Sequence, residues 1–325
     1  MRLVSLPDIP RGGGWVSGCH TLEPMAGGRA SAAMFCLLAL GGARAWAAGA
    51  PAGDEPAGVT WRELRFAAHK LGVSANIDVR LLTSSPPAGP AASGGAVGAS
   101  RTAGGTDFVL ESTTHLPGRT FVAREVLDPV HAAAREIVDT ETGARHHRKT
   151  YTFLERGFLL DVREPDSLGQ MLAPPESWTR TTRTFSRYPE GLPPGVAVTT
   201  PAGLLWVASG AHLDAPGDSV VIYVMVQAQV ERVTARVADV AVVPVDFLEE
   251  SFAGLTPVRG QRRVLRVVVA GEPVGPGDGS AFRLFGLEGA IAILWDPERR
   301  LPVELAGQVK MLGQVEVRLV SVTLR

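Results

Sequence analysis

The sequence predicts a mainly β protein, a large curved antiparallel sheet or open barrel or clam, with one short helix near residues 199–211. Three observations predict it. Short apolar segments recur with the period-2 alternation of half-buried strands. Turn-forming residues separate them. Only one stretch exchanges that alternation for a helical stripe. A sheet of about a dozen strands, the number these segments suggest, curls or closes to protect its edges. A two-sheet sandwich is the alternative architecture.

The chain opens on residues 1–24, which hold prolines and the run Gly12-Gly13-Gly14 and read as a mis-called start or a disordered extension. Residues 25–47 read as a signal peptide. Arg29 supplies a positive charge, an apolar stretch runs from Ala30 to Ala43, and Ala45-Trp46-Ala47 fits the small-x-small cleavage pattern. The apolar stretch is too short for a permanent membrane helix. This leader predicts export to a bacterial-type periplasm, with no transmembrane span after cleavage. Cys19 and Cys36 both precede the expected cut. The expected mature protein therefore has neither a disulfide framework nor a cysteine-based zinc site.

A spacer over 48–58 leads into a single β domain over 59–325. Leu64, Phe66 and Ala68 alternate with polar residues, as do Ile77, Val79 and Leu81 after a turn at Gly72. Residues 84–105 contain Val97 as their one bulky apolar residue and read as a flexible insertion. Strand patterns resume at 106–116, 119–127, 133–141 and 147–163, with a hairpin turning around Thr142-Gly143-Ala144. Residues 178–188 are rich in threonine and aromatics, which favour strands.

Over 199–211, threonine followed by Pro201 marks a helix start, and Leu204, Leu205 and Ala208 form its apolar stripe. Strands are then expected at 218–237, 239–247, 262–270, 281–286, 288–295, 302–309 and 313–325. The nearly unbroken apolar start of VVIYVMVQAQV predicts a central strand covered on both faces. Val315, Val317, Leu319, Ser321 and Thr323 are expected on one side of the last strand.

Composition narrows the possibilities. Hydrophobic residues make up 45% of the chain, enough for a packed globular body. The 32 basic and 33 acidic residues nearly cancel, so no strong field for nucleic acid is expected. Only Lys70, Lys149 and Lys310 are lysines; with so much alanine, glycine and valine, the arginine bias reads as genomic composition rather than phosphate recognition.

The final forty residues carry a family resemblance. An apolar strand ends in Leu294-Trp295, a turn follows at Asp296-Pro297-Glu298-Arg299-Arg300, and then come Leu301-Pro302-Val303 and Gly313 before the last strand. This pattern resembles the C-terminal signature of the exported bacterial family catalogued as domain of unknown function 3108. Leu64-Arg65-Phe66 through Lys70-Leu71-Gly72 resembles its opening hairpin, and 199–211 with Ala215-Pro216-Gly217-Asp218 its mid-chain helix and turn. The resemblance implies a periplasmic β protein and carries over no catalytic residue. Trp295, Asp296, Pro297, Leu301, Pro302, Val303 and Gly313 read as structural, with Asp-Pro opening a tight turn and Arg299-Arg300 facing water.

The search for chemistry finds no nucleophile elbow, phosphate loop, dinucleotide fingerprint or zinc-protease motif. His146-His147 is the most suggestive metal pair, but neighbours on a strand point to opposite faces, and Arg145, Arg148 and Lys149 make the place electropositive. No metal or cofactor is expected there. Gly275-Pro276-Gly277-Asp278-Gly279 reads as a turn, and His69, His115, His131 and His212 are scattered. The pairs Glu249-Glu250 and Asp161/Glu164 read as solvated acids. Trp178, Phe185, Tyr188, Trp206, Tyr223, Phe282, Phe285 and Trp295 read as core rather than a cavity lining.

The expected activity is non-enzymatic: a curved sheet holding an apolar or amphipathic ligand, such as a lipid or lipoprotein chain. An envelope enzyme acting on a glycan is one alternative. An assembly partner pairing through a sheet edge is another.

Overall fold

Alternating strands joined by tight turns favour antiparallel neighbours, and this chain follows that rule almost throughout. The computed structural model describes residues 59–70, 72–84, 107–276, 282–310 and 312–325. The extension at 1–24, the signal peptide at 25–47, the spacer at 48–58, both cysteines, the insertion from 85 onward and residues 277–279 of the glycine-rich turn lie outside the described residues.

Seven antiparallel strands follow one another as β1 (Trp61–Lys70), β2 (Val73–Ser84), β3 (Asp107–Leu116), β4 (Arg119–Leu127), β5 (Ala134–Gly143), β6 (His147–Leu154) and β7 (Gly157–Glu164). A four-residue helix α1 (Leu168–Met171) and a 3-10 turn at Pro175–Ser177 intervene before β8 (Arg180–Arg187). Next come the two-residue strand β9 (Val198–Thr199) and helix α2 (Gly203–Gly210). The chain then returns through β10 (Ser219–Val226), β11 (Gln229–Ser251), β12 (Gly254–Pro273), β13 (Glu288–Asp296), β14 (Leu301–Val309) and β15 (Gly313–Leu324).

The fifteen strands of the described residues join one sheet in the order β8 through β1, then β15 back to β9. Its middle is the antiparallel pair of first and last strands, with Leu64 opposite Val322 and Phe66 opposite Leu319. Two pairings are parallel, and each has a reason. Leu248–Glu250 of β11 pair with Ser321–Thr323 of β15, closing β11 to β15 into a ring of five strands. A ring with an odd number of alternating strands must contain one parallel closure. Strands β9 and β10 are parallel because α2 carries the chain across between them.

Helix α2 is the plug of this curled sheet. It is too short to be stable alone, and residues Gly203 to Ser209 are all buried. Burial of Leu204, Leu205, Trp206 and Val207 contributes about 2 kcal/mol each, so packing rather than propensity makes this helix. The expected one-sided stripe is thus corrected to burial all round. Trp206 lies against Phe108 of β3, with ring centroids 6.0 Å apart. Trp61 of β1 donates from Nε1 to Ser209 Oγ at 3.0 Å. The main core around α2 draws Leu64, Val79, Leu110, Val224, Val233, Ile291, Leu305 and Val317 from both halves of the sheet.

Several expected strands need correction. The segment 147–163 is the β6–β7 hairpin, and 218–237 is the β10–β11 hairpin, turning at Gln227 and Ala228 with φ of 47° and 69°. The segments 239–247 and 262–270 belong to the longer β11 and β12. No strand occupies 282–286; Leu284 and Leu287 form an isolated bridge around Phe285 and Gly286, both with positive φ.

Strand β10 is not central: only β9 lies outside it, although it is covered on both faces. Val220, Ile222, Val224 and Val226 join the main core. Met225, with Tyr223 alongside, packs in a second core with Val198, Val230, Ile137, Tyr151 and Phe158. On β15 the register shift opposite Arg65 and Phe66 changes the alternation. Val322 rather than Ser321 or Thr323 is therefore buried beyond Leu319.

Candidate functional site: the charged mouth of the outer strands

Side chains two apart on a strand share a face, and register extends that face across neighbouring strands. On β6, His147, Lys149, Tyr151 and Phe153 share one. His147 stands opposite Glu141, Lys149 opposite Asp139 and Tyr151 opposite Ile137 on β5. On the other side Lys149 meets Val162, Tyr151 meets Leu160 and Phe153 meets Phe158 on β7. Glu164 then pairs across to Arg180 at the start of β8.

This face changes character along its length. Ile137, Tyr151, Phe158 and the partly buried Phe153 and Leu160 bury its apolar end against β10. The opposite end opens into a depression of about 440 Å³, bordered by Arg145, His146, His147, Lys149, Glu164 and Arg180, with Val162, Pro165 and Met171 beside them.

The mouth is held by local bonds. Ser167 caps α1 by accepting from Gln170 N at 3.4 Å. Trp178 Nε1 donates to Gln170 O at 2.7 Å. Thr179 Oγ1 donates to Asp166 Oδ2 at 2.7 Å, and Thr179 N to Gln170 Oε1 at 3.1 Å. His146 stands edge-on to the buried Trp178, with ring centroids 6.0 Å apart. Its Nδ1 is buried without a hydrogen-bond partner among the described residues.

His146 and His147 border the same depression rather than opposite faces, because His146 precedes the strand and only His147 follows its alternation. His147 Nδ1 lies 3.7 Å from Glu141 Oε2, while Glu141 accepts from Arg119. Among the described residues no group of three His, Cys, Asp or Glu side chains is placed to hold a metal ion.

Electrostatics follow burial and neighbours. Burial and then Lys149 hold His147 below the usual histidine range, against the pull of Glu141. Burial pushes the Asp139 carboxyl up to about 6, with Lys149 opposing. Arg180 is paired with Glu164 and Arg148 with Glu176. Arg145 and Lys149 stand outside these ion pairs, which leaves two cations at the rim beside apolar surface.

Deeper in the fold, Glu125 of β4 is buried and its carboxyl is pushed up to about 8, mainly by burial. Thr200 bonds to it and accepts from Gly203 N at 2.8 Å, so this acid anchors the start of α2. Sequence reasoning missed Glu125, Asp139 and the fully buried Glu231. Each sits at a position where alternation calls for an apolar residue, a signal that register alone makes visible. Glu231 has no hydrogen-bond partner among the described residues, and burial raises its carboxyl.

The other candidates lie elsewhere. Glu249 meets Arg299 at 3.0 Å, Glu250 accepts from Thr323, and Asp161 is shared by Arg163 and Arg183. His69, His115 and His212 keep separate neighbours, Ser74, Thr120 and Asp214. Of the aromatic set Phe185 is exposed; Trp178, Trp206, Phe282 and Trp295 are buried.

In the family-like turn, Trp295, Asp296, Leu301, Pro302 and Val303 are buried, and Pro297 is half-buried. Asp296 Oδ1 accepts from Glu298 N at 2.9 Å and Arg299 N at 3.0 Å, and Gly313 starts β15 at φ 69°. Its arginines do not simply face water. Arg299 reaches Glu249, and Arg300 donates to Ser209 O at 3.3 Å, tying the turn to β11 and α2.

No family model, curated protein or solved structure matches this chain. Among the described residues no helix is long and apolar enough to cross a membrane.

Proposed function

We propose that this chain is an exported envelope protein, kin to the family catalogued as domain of unknown function 3108, that binds an anionic amphipathic ligand without catalysing a reaction. The ligand is of lipid or lipoprotein type. Its acidic head sits at Arg145 and Lys149, and its apolar part lies along Val162, Pro165 and Met171. The observation that carries this reading is the juxtaposition, in one open depression, of apolar surface with Arg145 and Lys149, neither of which is within ion-pair distance of an acid among the described residues. Charge fixes the head and burial of apolar area holds the rest. The expected position inside the curled sheet moves outward, because α2 and its core neighbours fill that space. A glycan-cleaving reading finds less support: a pair of working carboxyls must face one another across a cleft, and Glu125 is buried and bound to Thr200.

The experiment follows intrinsic tryptophan fluorescence, to which Trp178 beside the mouth contributes, and calorimetric heat as dodecyl phosphate is added below its micelle threshold. Saturable binding is expected, with no binding of dodecyl maltoside. Lys149→Met combined with Arg145→Ala weakens binding at least about tenfold. Equal binding of the charged and uncharged detergents, or none of either, defeats the proposal.

A further inference from the structure

The outer edge of the sheet lies away from the face that forms the charged mouth. Strand β8 pairs with β7 through eight consecutive residues, Arg180 to Arg187, with no register shift. It ends the strand order, and among the described residues nothing pairs with its other side. Arg180 to Phe185 are exposed in succession, so neither face of that stretch is covered. A straight, unblocked edge presents backbone donors and acceptors to any extended chain that approaches. Edges are kept empty by proline, by bulges or by charge; β8 has no proline and no bulge, and its three arginines repel a basic visitor while admitting an acidic one.

Its side chains define the visitor. Thr181, Arg183, Phe185 and Arg187 share the face turned away from the charged mouth, and β8 contains three arginines and no acid. Asp161 already engages Arg183 at 3.4 Å, whereas Arg187 stands opposite Gly157, which offers no side chain. Phe185 is 49% exposed beside Leu159. A second copy of β8 is a poor guest. Antiparallel self-pairing brings three more arginines and no acid to an edge that already carries three, so the new ladder gains no ion pair.

We infer that the β8 edge is a docking site for an extended acidic segment of another protein, with two acidic side chains four residues apart flanking an apolar one. The guest adds a strand beside β8. Its backbone pairs with the edge, its acids meet Arg183 and Arg187, and its apolar residue covers Phe185. This site is separate from the charged mouth and stands whether or not that mouth binds an amphiphile.

The test uses the purified full chain and a fluorescent peptide containing Glu-Thr-Val-Thr-Glu, read by anisotropy. Saturable binding is expected, with Arg187→Glu weakening it roughly tenfold by turning attraction into repulsion. Thermal melting of that variant should match the unmodified protein, because Arg187 makes no ion pair among the described residues. The same peptide methylated on alternate backbone nitrogens should fail to bind, and a lysine counterpart should fail too. Equal binding of the methylated peptide would show charge attraction without strand pairing and overturn the inference. So would absence of binding by the acidic peptide.

Discussion

At one end of the sheet, β10 is enclosed: Val224 faces the core around α2, Met225 faces the second core, and both are buried. At the other end, β8 lies open, with Arg180 to Phe185 exposed on both faces. Both strands are eight residues long and close to a sheet edge. The difference lies in their neighbours along the chain. After β10 the chain makes a two-residue turn into β11, the longest strand, while before it α2 folds back under the sheet. Among the described residues strand β8 has only β7 to lean on. An edge can be protected by rolling it inward or left open for a partner, and this sheet does one at each end.

The sharpest way to break the comparison is to charge both strands. Val224→Asp puts a carboxylate into the main core and is expected to cost about 4 kcal/mol, and Met225→Asp a similar amount. Thr184→Asp on β8 should stay within about 0.5 kcal/mol. Urea unfolding followed by tryptophan fluorescence gives all three. Equal losses would mean that β8 is covered as well.

A smaller effect separates the enclosed interior from the open wing by pH. Glu125 binds its proton more tightly when folded, with a pKa of about 8 against 4.5 for the free side chain. Its contribution is therefore complete below about 4.5 and is lost as pH rises towards about 8. Glu125→Gln keeps the bond to Thr200 and removes the ionisation. It should leave stability near pH 4 little changed and raise it above pH 8 by on the order of 3 kcal/mol. Denaturation curves across that range check it. An unchanged slope would assign the dependence to Asp139 or Glu231, which shift in the same direction.

The smallest expected effect concerns the turn next to the enclosed strand. Gln227 and Ala228 both hold positive φ, a conformation that costs a residue with a Cβ roughly 1 kcal/mol or more. Ala228→Gly should raise stability by about 1 kcal/mol, measured by thermal melting. A loss would mean that the Ala228 side chain, which packs at the second core, outweighs the strain.

That turn also shows where the sequence falls silent. Tight hairpins of this kind are usually announced by Asn-Gly or Asp-Gly; Gln227-Ala228 announces nothing, so two strands read as one. Where glycine is present, as at Gly72 and Gly143, the hairpins are legible. The limits 119–127 of β4 coincide with its alternation, and Pro201 marks the approach to α2. The long arm of β11 and β12 is underread because half of its surface is exposed and Pro244 interrupts its pattern.

The mouth is half legible. Arg145, His146, His147 and Lys149 stand together in the sequence and read as electropositive. Their depression also needs Val162, Glu164 and Arg180, brought beside them by the register of β7 and β8. It needs α1 as well, which at four residues is too short to produce a periodic signal.

The pairing of β1 with β15 bears on how this molecule is made. Strand β1 leaves the ribosome first of the fifteen and waits for its inner neighbour until the last has emerged. The middle of the sheet is therefore its most non-local contact, closing a loop of more than two hundred residues between Leu64 and Val322. Such closure is entropically costly and slows folding. A nascent chain can build hairpins from β1 to β8 during synthesis, but the cooperative unit is complete only once β15 has joined β1. For as long as β15 is missing, β1 keeps one edge without its strand partner.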